Sequence, residues 1–183
     1  MTTLDVVAFV AVVLIALAWF LSYSAACLDR LHGRVEATYA ALDAQLVRRA
    51  EATLELATSG LLDPASALVL ASAAADSLAH ADDSDEQERG AVESDVTESL
   101  AAVLTPEAVD DLRAGDGVPH DGLDRIKAAG TRVQLARRFH NDAVSDVRRV
   151  RRKGVVRLFR LAGRAELPQS IDFDDALPAP LRD

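Results

Sequence analysis

Cations are the residues of this chain whose types and spacing invite chemistry. Arg148, Arg149, Arg152, Lys153, Arg157, Arg160 and Arg164 gather on one side of a helical wheel. Val147, Val150, Val155, Leu158, Leu161 and Ala162 gather on the other. A basic amphipathic helix of this pattern binds anions. On a bilayer these are lipid phosphates, to which each cation contributes about 1 kcal/mol. The other anionic polymer it suits is a nucleic-acid backbone, through counterion release. The same helix can instead lay its apolar side on a bundle and turn its arginines to acids elsewhere in the chain.

Catalytic chemistry is harder to build. His140 falls on an apolar seam, and His32, His80 and His120 show no ligand spacing around it. A zinc site needs three or four convergent ligands, so His140 reads as a core or interface residue. Cys27 is the single cysteine, which excludes an intrachain disulfide and a thiolate cluster. The chain has no phosphate-cradling glycine loop, no GxSxG, no HExxH and no CxxC. Asp110 and Asp111 read as surface acids. The expectation is a protein without catalytic residues, cofactor or metal.

The elements that must carry these residues are helical. Half of the 183 residues are apolar but only 4% are aromatic, and alanine, leucine, valine and arginine dominate. Apolar residues at Leu28, Leu31, Val35, Tyr39, Leu42, Leu46 and Leu56 keep helical spacing, predicting one helix to about Thr58 with Gly60 as its stop. Asp63-Pro64 reads as an N-cap and first turn of a second helix to about Ala79. The acidic stretch Ala81 to Glu88 reads as a solvated loop. A third helix is expected from about Gln87 to Leu104, and Thr105-Pro106-Glu107 restarts a short one. After a Gly/Pro loop from Ala114 to His120, a last long helix starts near Asp121. Ile126, Val133, His140 and Val147 lie seven apart, with Ala129, Ala136 and Ala143 between them, a coiled-coil-like heptad with small seam residues.

The segment Val6 to Leu28 carries no charge. As a helix it extends roughly 35 Å, enough for a hydrocarbon core of about 30 Å. Trp19 and Tyr23 suit the headgroup level at its C-terminal end. A cleaved signal peptide would have a basic leader and a shorter core; here Asp5 precedes the run. Ser24-Ala25-Ala26-Cys27 is only a faint lipoprotein box. Basic residues flank the span on its C-terminal side alone (Arg30, Arg34, Arg48, Arg49), which orients the N-terminus outside and the rest in the cytoplasm. The expected division is an anchor over 1–28, a helical bundle over 29–165, and an extended or disordered tail over 166–183.

Net charge is −9 but uneven. Arg125 to Arg164 holds thirteen cations and two acids, a net of +11 that leaves −20 for the remainder. The acidic total and the scarcity of aromatic residues weigh against nucleic acid.

Two segments resemble the LemA family of bacterial membrane proteins. Ala136-Arg137-Arg138-Phe139-His140-Asn141-Asp142-Ala143-Val144 is similar to the family's A-R-x-x-Y-N-x-x-V, and Asp43 to Glu51 (DAQLVRRAE) resembles its D-x-Q-L-x-R-R-x-D. His140 replaces the usual tyrosine, Gly154 stands where proline is common, and the family's Ile-Pro-Asn-Leu is missing after Arg49. On this resemblance the chain is identified as a divergent member. The resemblance implies a membrane-anchored antiparallel bundle of long helices with no established enzymatic activity. It marks Arg48, Arg49, Arg137, Asn141 and Val144 as structural motif residues. In such a bundle Arg48 and Arg49 are expected to face Asn141, Asp142 or Asp146 and to set register by carboxylate pairing.

The functional expectation is a membrane-anchored scaffold or interaction protein. Its partners are the membrane, other proteins and anionic headgroups, and it is able to form oligomers. The alternatives are a nucleic-acid or lipid-surface binder acting through 148–164, and an exported lipoprotein.

Overall fold

The computed structural model describes residues 3–81, 86–114, 119–152, 154, 156, 159 and 167–182. Among these residues the fold is all-α. The helices are α1 (Thr3–Thr58), α2 (Pro64–Ala79), α3 (Glu86–Val103), α4 (Pro106–Ala114) and α5 (Pro119–Arg151), with a 3-10 turn at Ala179–Leu181.

Local chemistry sets the helix ends. Gly60 takes φ +76°, a left-handed conformation open to glycine at little cost, and α1 stops two residues before it. The Asp63 carboxylate accepts hydrogen bonds from the backbone N–H groups of Ala65 (3.0 Å) and Ser66 (3.1 Å), and Pro64 occupies the first turn of α2. A hydrogen bond from the Ser66 side chain, and then these backbone bonds, hold the Asp63 carboxyl below its ordinary pKa. Thr105 caps α4 by accepting from the Ala108 N–H at 3.2 Å. The carboxyl of Glu107 is likewise held low, by its own backbone N–H and then by the Thr105 hydroxyl.

The chain divides into two compact units. The first comprises Met1–Ala37 and Asp142–Pro168. Its α1 portion is one helix long and apolar enough to cross a membrane, and none of that stretch is buried. Val7, Phe9, Ile15 and Trp19 are each about two-thirds exposed or more (68%, 66%, 70% and 75%). Burial begins at Leu28 and continues with Ala143, Val144, Val147 and Val156. Arg34 pairs with Asp146 at 3.4 Å on the surface.

The second unit comprises Thr38–Asn141 and Gln169–Asp183. Its larger apolar cluster joins Leu56 of α1, Leu70 of α2, Val96 and Leu100 of α3, Val109 of α4, Ile126 of α5 and Leu181. A smaller one joins Leu42, Leu46, Val133, Ile171 and Phe173, with Tyr39 and Ala136 packed against it. Along α5 the heptad residues Ile126, Val133, His140 and Val147 are all 0–1% exposed.

This division differs from the expected one. The boundary falls inside α1 and α5, since one helix serves two packing environments. The segment 167–182, read from its prolines and acids as extended or disordered, is extended up to the 3-10 turn. Ile171, Phe173 and Leu181 enter the core of the second unit. Burying Ile171 and Phe173 contributes about 1.5–3 kcal/mol each, which outweighs the tail's polar composition.

Candidate functional site

The second unit holds a buried ionic cluster where its apolar surroundings predict none. Arg49 of α1 (3% exposed) faces Glu93 of α3 (0%), and Nη2 donates to Oε2 at 2.6 Å. The same nitrogen donates to the Glu93 carbonyl at 2.9 Å, and Nη1 donates to Thr97 Oγ1 at 3.1 Å. Arg89, one turn before Glu93, approaches its other carboxylate oxygen at 3.2 Å, and pairs with Asp43 of α1 at 3.0 Å. Ser77 of α2 donates to Glu93 Oε1 at 2.6 Å, while its carbonyl accepts from Arg89. Two arginines thus meet two carboxylates with no net charge, and three helices are tied at one level.

Low dielectric makes each of these bonds strong and each missing partner costly. The Nε–H groups of Arg49 and Arg89 are buried without a protein acceptor among the described residues. Such a cluster adds little net stability over an apolar core, but removing one partner leaves an uncompensated buried charge at high cost.

A second constellation lies along α5 and grips the C-terminal segment, here called the strap (residues 171–177). Arg137 binds Asp175 with two parallel bonds, Nε to Oδ2 at 2.8 Å and Nη2 to Oδ1 at 3.0 Å. Its third nitrogen reaches Asp172 at 3.0 Å, and the guanidinium lies 5.3 Å from the centre of the Phe173 ring. One turn on, the Asn141 amide donates to the Ile171 carbonyl (3.0 Å) and accepts from the Ile171 N–H (3.1 Å), as a neighbouring β-strand would. Gln134 donates to the Asp175 carbonyl at 2.8 Å. From α3, Ser94 accepts from the Asp174 N–H at 3.2 Å, and Thr97 donates to the Asp174 carbonyl at 2.6 Å. Thr97 therefore touches both the ionic cluster and the strap.

Two glycines make room for it. A Cβ on Gly90 would sit 3.0 Å from the Asp172 carbonyl oxygen, and one on Gly130 would sit 2.5 Å from Leu177 Cδ2.

The expected pairing of the two motif segments is corrected. Arg49 meets Glu93 rather than Asn141, Asp142 or Asp146, because its side of α1 faces α3. Arg48 is turned away by one helical step and is exposed, lining a cleft of about 460 Å³ with Glu51, Arg125 and Arg132. Asn141 is engaged by Ile171, Asp142 is exposed, and Asp146 pairs with Arg34. Val144 is buried. Arg137 and Asn141 do share one site, but their partner is the strap and not α1.

His140 is 1% exposed, with Nδ1 3.4 Å from Thr38 Oγ1 and its ring edge-on to Tyr39 at 5.7 Å. Among the described residues no three His, Cys, Asp or Glu side chains converge to hold a metal ion. Of the basic run, Arg148 donates to the Pro168 carbonyl at 3.0 Å, and Arg149 and Arg152 are exposed. Lys153, Arg157, Arg160 and Arg164 lie outside the described residues.

Sequence reasoning missed Glu93, Arg89 and Ser77 altogether, and missed the strap as a binding partner. The signals were present: glycines inside helices at 90 and 130, and alternating apolar and acidic residues from Ile171 to Asp174. No family model, curated protein or solved structure matches the chain.

Proposed function

We propose that this is a single-span membrane protein of the LemA type, whose helical domain is a non-catalytic interaction scaffold on the cytoplasmic face. The observation that carries the reading is the course of α1. One helix runs from a wholly exposed apolar stretch to the buried residues Leu42, Leu46, Arg49 and Leu56 without interruption.

The antiparallel bundle is part of the proposal. Its support is the order of contacts in the second unit: Thr38 meets His140, and Glu55 meets Arg125 at 2.6 and 2.8 Å, so α5 descends as α1 rises. The ionic cluster is read as the device that holds α1 in register with α2 and α3.

Contact of the basic run with anionic headgroups is favoured by one observation. The cationic end of α5 and the turn after it, with Arg149 and Arg152 exposed, belong to the same compact unit as the apolar stretch of α1. Cations beside a membrane stalk meet lipid phosphates at about 1 kcal/mol each.

A topology reporter fused after Asp183, combined with deletion of residues 3–27, tests the proposal. The full chain is expected in the membrane fraction with a cytoplasmic reporter. The deletion variant is expected to be soluble and still helical. A soluble full chain, or a reporter active only outside, refutes it.

A further inference from the structure

The strap is bound as a receptor binds a peptide. Asn141 reads both main-chain groups of Ile171, Arg137 spans the carboxylates of Asp172 and Asp175, and Ile171 and Phe173 fill the apolar cluster of Leu42, Leu46 and Val133. Gly90 and Gly130 clear the space for a main chain and a leucine. Main-chain pairing supplies affinity, and the charge and ring positions supply selectivity for an apolar–acid–aromatic–acid–acid pattern. These contacts address atoms of the strap itself, so they are indifferent to which chain the strap comes from.

We propose that the groove between α3 and α5 accepts the same segment from a second copy of this chain, giving a strap-exchanged dimer. Exchange conserves every contact, because each groove still receives one strap. What favours the resident strap is that it belongs to the same chain, so its binding is intramolecular. Copies brought to a high local density, or weakened in the resident fit, exchange. Charge complementarity makes the surface specific: one guanidinium faces two carboxylates, and reversing either side replaces attraction by repulsion.

Two full-length variants in mild detergent test this. Arg137→Glu keeps the strap and spoils the groove. Asp172→Lys with Asp175→Lys keeps the groove and spoils the strap. Within each variant like charges oppose each other, whether the strap is resident or exchanged. Mixed one to one, the two pair acid with base at both grooves only by exchange. Light scattering is expected to show a species of twice the chain mass in the mixture, at least about tenfold more abundant than in either variant alone, equivalent to about 1.4 kcal/mol. If a variant alone has lost helical signal, mixing is expected to restore it. A mixture that behaves as the sum of its parts, in mass and in helicity, overturns the proposal, as does an equal dimer of either variant by itself. The triple variant carrying all three changes in one chain is expected to be a folded monomer at low concentration, and its failure to fold would show that the charges do not pair as described.

Discussion

Replacing Arg49 by leucine removes the centre of the buried ionic cluster while filling most of its volume. Glu93, fully buried, then keeps Arg89 and Ser77, but the cluster passes from neutral to one net negative charge, with Thr97 also losing a donor. Removing one partner of a buried pair costs about 3–5 kcal/mol. For a chain of this size about 2–4 °C of melting temperature accompanies each kcal/mol, so Arg49→Leu is expected to melt about 6–20 °C lower. Thermal unfolding followed by far-ultraviolet circular dichroism measures it. The double variant Arg49→Leu/Glu93→Leu restores neutrality, since Arg89 and Asp43 remain as a pair at 3.0 Å. It should melt above either single variant. A single variant that melts with the wild type, or a double variant that melts below both singles, refutes the view that these groups are coupled.

Arg137→Ala is expected to raise hydrogen exchange at residues 171–177 while leaving the rest of α5 protected; unchanged exchange there would remove Arg137 from the strap's attachment. Gly33 sits inside α1 with open space around its Cα, so Gly33→Ala should stabilise by about 0.5–1 kcal/mol, whereas Gly60→Ala, at φ +76°, should destabilise by about 1 kcal/mol. Both are read from melting curves. The lowered Asp63 pKa means that its cap stabilises α2 above the unfolded carboxyl's ordinary value of 3.8 and fades as pH falls through the folded value. The melting deficit of Asp63→Ala should therefore be full near about pH 7 and shrink as the pH falls below 3.8; a deficit that does not change with pH would exclude the carboxylate as its source.

Much of the fold was legible where its causes are local. The end of α1 near Gly60, the Asp63-Pro64 start of α2 and the Thr105 cap of α4 each follow from one residue's backbone preference or one side-chain oxygen. The heptad of α5 was legible because burial repeats with the helical period. The site was less so. Arg49 and Glu93 are brought together by packing of α1 on α3, across a stretch whose sequence shows no matching pattern. The strap's fate was decided by Arg137 and Asn141, side chains of a helix remote in sequence, and not by its own prolines and acids. A polar, proline-bearing tail reads as solvated unless its receptor is known. Here the receptor's plainest trace was a pair of glycines in the interiors of α3 and α5.

In the proposed reading, residues 5–27 stay in the lipid as the first half of α1. Alkaline carbonate extraction of membranes, followed by intact-mass measurement, tests it most directly. The chain is expected to remain in the membrane pellet with the 19.5 kDa mass of the full sequence, less at most Met1. A chain released to the supernatant and shortened to begin near Cys27 would contradict it.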